Sequence, residues 1–315
     1  MSQPVSVPAP SALQVVPALA AARGLGALAL RARGGWGTRR RLVGIGTRAM
    51  PPVRGLRVAR GDLGGVPAER YTPKDGAPAR PEIGLWLHGG GFAVGDPGGH
   101  RGFVGRLALA SGLEWHSADY RLAPEHPFPA PPQDALAAYR ALVERGAPVV
   151  VGGDSAGASL ALGVALDAAA AGLPAPAALV LVCPYLDLTD DGAAARGRAP
   201  REPLLTPRLM EEFRAAYAPD PASWATPEVS LLLTDDDALA GLPPILLDDA
   251  ADDLLLTDSR RLAARLAALG DRTPQVDHVH YEGLWHDFHL FAGSAPFATR
   301  AVTRLADRLV RRLDG

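Results

Sequence analysis

Residues 149–157 read Val149-Val150-Val151-Gly152-Gly153-Asp154-Ser155-Ala156-Gly157. Three β-branched apolar residues make a short buried strand, and the alanine-rich apolar stretch 156–171 behind them has the length of a helix. Between the two, Gly153 to Gly157 spell Gly-x-Ser-x-Gly. A serine on a sharp strand-to-helix turn stands clear of the sheet, and only small flanking residues let the backbone make that turn. The helix behind it points free N–H groups at any negative charge that develops there. Ser155 is therefore a candidate nucleophile.

Short apolar runs alternate with helical stretches on both sides of this element. Strands are expected at 56–60 and 68–71, joined by a Gly64-Gly65 turn, and at 83–87, 113–118, 149–152, 178–182, 245–247 and 276–281. Helices are expected at 103–111, 131–145, 156–171, 259–269 and 298–313. That rhythm predicts an α/β fold with a mostly parallel, eight-stranded sheet and helices on both faces. Residues 185–242 break the rhythm: they are long and proline-punctuated, with one helix at 207–217, as expected of a lid or cap inserted into the core. Residues 1–50 read as short helices outside the main sheet, broken by Pro17 and Gly34-Gly35.

A second glycine cluster, His88-Gly89-Gly90-Gly91-Phe92, follows the strand at 83–87. Consecutive glycines let backbone N–H groups approach a substrate oxygen without Cβ obstruction, which is how an oxyanion hole is built. Near the C-terminus, Trp285-His286-Asp287-Phe288 follows the strand at 276–281, and His286 is the candidate base. Asp248, Asp249, Asp252 and Asp253 all follow the strand at 245–247 and are candidate orienting acids.

Together with Asp119-Tyr120-Arg121-Leu122-Ala123-Pro124-Glu125, these segments resemble the hormone-sensitive-lipase-like family of bacterial esterases within the α/β hydrolases. The resemblance runs from about Gly55 to the C-terminus. It implies a Ser-Asp-His triad in chain order, with Asp252 in the register of the acid and Asp253 the next choice. It also implies oxyanion N–H groups on Gly90, Gly91 and Ala156, with Gly89 in the same loop mainly as a hinge. The N-terminal helices would join the insertion as a cap. The chain then divides into cap (1–55), core (56–184), cap insertion (185–242) and core again (243–315). The activity implied is carboxylic ester hydrolysis; the apolar segments 1–50 and 185–242, broken by prolines and glycines, add the expectation of a bounded pocket for short to medium acyl chains. Lactone or acetylated natural-product hydrolysis and non-catalytic ligand binding are the rivals. Phe92 and Trp285 are expected at the substrate wall, and Arg121 and Glu125 as a structural pair.

Several readings are set aside or left open. The net charge of −2 gives no general attraction to nucleic acid. Acyl transfer through serine needs no cofactor, and no metal is expected: His278, His280, His286 and His289 could suggest one, but His286 already has a role. Gly44-Ile45-Gly46-Thr47-Arg48-Ala49 matches a dinucleotide-binding fingerprint in letters but lacks a preceding strand. Cys183 is the only cysteine, so no internal disulfide forms. No uninterrupted apolar window reaches the length of a spanning helix, and no positive segment precedes 12–22, so a cytoplasmic protein without stable membrane insertion is expected. The closing helix is expected to dock on the sheet with Arg300, Arg304, Arg308 and Arg311 outside. Oligomeric state is not legible.

Overall fold

The computed structural model describes residues 3–189 and 201–315. The chain starts with β1 (Val5–Val7), α1 (Ala12–Leu25), a π-helical turn at Gly26–Leu30 and α2 (Gly35–Arg48). The hairpin β2 (Leu56–Leu63) and β3 (Val66–Pro73) follows, then β4 (Ile83–Leu87), α3 (Pro97–Ser111), β5 (Glu114–Ala118) and α4 (Ala130–Val143). Next come β6 (Val149–Asp154), α5 (Ala156–Ala170), β7 (Ala178–Val182), α6 (Pro207–Tyr217) and α7 (Asp236–Ala240). The chain ends with β8 (Ile245–Ala250), α8 (Leu256–Ala268), β9 (Val276–Tyr281) and α9 (Pro296–Leu313).

Among the described residues the strands form one nine-stranded sheet in the order β1-β9-β8-β7-β6-β4-β5-β3-β2. Only the β2–β3 and β3–β5 pairs are antiparallel. Strands β4 to β8 are buried along their whole length, as a parallel sheet covered on both faces requires. The ninth strand is the departure from the sequence reading. Val5–Val7 pairs in parallel with Val279–Tyr281, so the extreme N-terminus belongs to the sheet rather than to a cap. Three residues are too few to show an alternating pattern, and the preceding sequence gives no turn signal.

Helix α3 starts where Asp96 accepts a hydrogen bond from the Gly99 amide with Pro97 in the first turn, and α6 starts the same way with Thr206, Leu209 and Pro207. Ala12–Leu30 is a continuous helical stretch of 19 residues that by length and composition is apolar enough to cross a bilayer. The sequence reading finds no uninterrupted apolar window of that length, and Arg23 lies inside this one. Leu13, Val16 and Leu28 on this stretch are exposed.

The closing helix differs from expectation at one residue. Arg308 is buried and ion-pairs with the buried Asp248 at the end of β8 and with Asp277 of β9. The other arginines share the amphipathic pattern, but Arg308 lies over the sheet. Arg121 and Glu125 hold their loop separately: Arg121 makes a bidentate pair with Asp134, and Glu125 pairs with Arg40 of α2.

Candidate active site

The site sits at the C-terminal ends of the parallel strands. Leu87 pairs with Gly153 and Asp154 with Val182, so the ends of β4, β6 and β7 lie side by side and bring the His88–Phe92 segment over Ser155. Ser155 has φ 52 and ψ −121, a conformation that ordinary L-residues avoid. The turn closes because Gly157 packs directly on the Leu87 carbonyl, where any Cβ would overlap it. Strain held in place by such packing is a common mark of a functional turn.

The His286 Nε2 lies 2.9 Å from Ser155 Oγ, and its Nδ1 lies 2.9 and 3.0 Å from the two carboxylate oxygens of Asp253. Asp252, the sequence choice for the acid, is not there. Strand β8 runs to Ala250, beyond the expected end at 247. The Ala251 and Asp252 amides then donate to Tyr281 and Leu284 carbonyls, keeping the chain alongside the loop after β9. This holds Asp252 at the partly exposed rim while the turn sends Asp253, 2 % exposed, under the imidazole. The Asp253 carboxylate also accepts the Leu255 amide at 2.7 Å.

The glycine loop is fixed from below by Asp154. Its carboxylate accepts from Trp86 Nε1 at 2.9 Å and the Gly89 amide at 3.0 Å, and stands 3.0 Å from His100 Nε2. The Gly89 N–H is therefore engaged by Asp154, so Gly89 anchors the loop and does not serve the oxyanion hole as a donor. The backbone bonds made outside helices and strands use none of the Gly90, Gly91 or Ala156 amides. Gly90 has φ 121 and Gly91 φ 59, and a Cβ on either would overlap Val94 or the Phe213 ring.

Neither aromatic residue expected at the substrate wall lines the pocket. Phe92 stacks on Tyr217 at 3.7 Å, and Trp285 packs edge-on against Phe291 and Phe297. The pocket over Ser155, about 670 Å³ with its open mouth included, is walled instead by Leu25, Leu30, Val43, Leu204, Leu205, Met210, Phe213 and Leu290. All of these but Leu290 come from the N-terminal helices and the insertion, both expected to form a cap. Their contribution was hidden in the sequence because nothing local ties positions 25–43 or 204–213 to Ser155.

Two further carboxylates stand beside the base: Asp287, which the sequence left either to raise the His286 pKa or to face solvent, and Glu202, which it missed. Glu202 accepts the backbone N–H of His286 at 2.9 Å and those of Leu204 and Leu205 at 2.7 and 3.1 Å. Burial and the nearby Asp253 push its pKa up to about 7. Asp287 Oδ2 lies 3.1 Å from His286 Nε2. Its position next to the candidate base was visible in the sequence; the direction of its side chain was not. Burial by itself would lower the His286 pKa, but Asp253 and Asp287 hold it well above the ordinary histidine range.

Cys183, His286 and Asp287 bring possible metal-ligand atoms within 4.8 Å of one another. Both imidazole nitrogens are already engaged, which leaves that cluster without a free nitrogen ligand. His278 and His280 both bond Asp249 instead of converging on His286, and His289 stands 3.3 Å from Asp248.

A nine-stranded, mostly parallel sheet with a strained serine at the end of its central strand, faced by a histidine and free amides, defines an α/β-hydrolase. Residues 84–290 match the family model described as the alpha/beta hydrolase fold. An acetyl-hydrolase of Streptomyces hygroscopicus is 37% identical over 221 residues, covering 69% of this chain and 72% of that protein. The carboxylic ester hydrolase LipN of Mycobacterium tuberculosis is 35% identical over 268 residues, covering 80% of this chain and 69% of that protein. The crystal structure of an esterase from the bacterial hormone-sensitive lipase family superposes with a TM-score of 0.87 at 30% identity, covering 96% of this chain and 99% of that one. The chain belongs to the α/β-hydrolase family and, within it, to the hormone-sensitive-lipase-like esterases. It is a carboxylic ester hydrolase.

Proposed function

We propose that the enzyme cleaves short to medium acyl esters through an acyl-enzyme carried on Ser155, with His286 as base and Asp253 as the orienting acid. The observation that carries this reading is the 2.9 Å contact between Ser155 Oγ and His286 Nε2 at a strained turn beside unused amides. His286 takes the Ser155 proton on Nε2 as Oγ attacks the ester carbonyl, and the carbonyl oxygen takes up negative charge against the Gly90, Gly91 and Ala156 N–H groups. As the intermediate collapses, the C–O bond to the alcohol breaks and His286 returns the proton to the departing alkoxide. Water, deprotonated by the same nitrogen, then releases the acid and restores Ser155. Asp253 holds the Nδ1 proton throughout and stabilises the imidazolium without itself being protonated.

Chain length follows from the wall. Each methylene buried against Leu204, Leu205, Met210 or Phe213 contributes about 0.8 kcal/mol until the pocket ends. With p-nitrophenyl esters an optimum between about four and eight acyl carbons is expected, with a collapse by about sixteen. A fluorophosphonate probe should label Ser155 and stop turnover. A chain that hydrolyses esters but labels elsewhere would overturn the nucleophile. Rates that climb steadily to long chains would overturn the bounded pocket.

A further inference from the structure

The residue after the base raises a question that the triad does not answer. Asp287 has φ 49 and ψ 32, the left-handed region where glycine is the usual occupant. It is 5 % exposed, lines the pocket over Ser155, and its Oδ1 is buried with no hydrogen-bond partner among the described residues. Its Oδ2, 3.1 Å from His286 Nε2, shares that nitrogen with Ser155 Oγ at 2.9 Å. Nε2 can carry one proton, so a carboxylate there competes with the serine for it.

We propose that Asp287 is a second carboxylate acting on the base: it holds the proton on the reactive nitrogen of His286 and thereby sets the pH above which the esterase works. The inference rests on the assignment of His286 as base. Protonated His286 donates its Nε2 proton to Asp287 Oδ2, and in that state it cannot accept the Ser155 proton. Loss of that one proton to solvent frees the nitrogen, and the ionised Asp287 beside it makes the imidazole a stronger base.

The surroundings reinforce the pairing. Asp253 faces the imidazole from the turn after β8, and Glu202 faces the His286 amide from the insertion. Asp154 at the end of β6 and His100 of α3 also act electrostatically on Asp287 or feel its charge. Cys183 after β7 lies in the same cluster, its thiol pushed up by burial and Asp253. Burial pushes the Asp287 carboxyl up to about 6, partly offset by the facing His286. Near neutrality the His286–Asp287 pair therefore holds one proton between them.

The test is the pH profile of kcat/KM on p-nitrophenyl butyrate for the full chain, Asp287→Asn and Asp287→Gly. Glycine suits the left-handed backbone, so that variant removes the carboxylate without new strain. An opposite charge at this distance shifts a pKa by roughly one to three units. Both variants should move the acid limb down by that amount, and the plateau above it should fall because a less basic imidazole draws the serine proton less. Should a variant turn over too slowly, the pH dependence of its fluorophosphonate labelling rate reads the same ionisation. An acid limb unmoved in variants that still label overturns the inference and leaves the nucleophile standing. A wild-type chain that hydrolyses the ester without labelling Ser155 overturns both.

Discussion

In the proposed mechanism Ser155 and His286 act as a unit, so loss of either removes nearly all catalysis. Ser155→Ala and His286→Ala should each leave native circular dichroism and under a few per cent of wild-type kcat on an activated ester. The acid separates the two neighbouring aspartates. Asp253→Asn should lower kcat by roughly 10³–10⁴, the cost of a mis-oriented imidazole. Asp252→Asn, at the rim with its amide on Leu284, should cost about tenfold or less. The reverse ranking in steady-state kinetics would restore Asp252. The ambiguity in the sequence was genuine: four aspartates lie within six positions (248–253), and three of them are bound to different partners. Asp248 meets Arg308, Asp249 meets His278 and His280, and Asp253 meets His286. Nothing in the local pattern distinguishes these fates, because each partner arrives from β9, from the loop after it, or from α9.

At the scale of elements, the sheet and its closing helix are joined by a buried charge. Arg308 of α9 is 4 % exposed and pairs with Asp248, fully buried at the end of β8. Removing one partner of such a pair leaves the other uncompensated and costs about 3–5 kcal/mol. Arg308→Ala should therefore lower the midpoint of chemical denaturation by that stability, whereas Arg304→Ala, on the same helix, should stay within about 0.5 kcal/mol. Equal effects would mean that the pair is not what docks the helix. The helix itself was legible from its amphipathic period, and its docked placement was the natural reading of a terminal helix. The inward arginine was not legible, since a charge every fourth residue describes a solvated face unless a buried acid waits opposite one of them.

Across the whole molecule, the buried carboxylates make stability depend on acid. Burial would raise the Asp248 pKa, but Arg308 and His289 bring it down to about 2. A carboxyl with a depressed folded pKa contributes stability that is present above its unfolded value of about 3.9 and is lost as pH falls through the folded one. His88 adds loss over a higher range: burial and His100 lower its pKa to about 4, so acid protonates it in the unfolded chain first, from about 6.5 downward. The melting temperature should fall between about pH 4 and 2, and the double variant Asp248→Asn/Arg308→Met should lose less over that window; a parallel fall would remove Asp248 from the account. The sequence by itself determined the order of the core strands and helices from residue 56 on, the serine elbow, the glycine loop and the histidine that meets Ser155. Each of these is encoded in contiguous residues whose backbone demands are local: a small residue where the chain must bend, an apolar run where it must be buried. Only the tertiary structure decided that Val5–Val7 closes the sheet edge, that Asp253 rather than Asp252 reaches the imidazole, and that Asp154 takes the Gly89 amide. It also decided that leucines from residues 25–30 and 204–205 wall the pocket. These are contacts between segments far apart in the chain, where a rotation of one residue along the backbone exchanges one partner for another and leaves the local pattern unchanged.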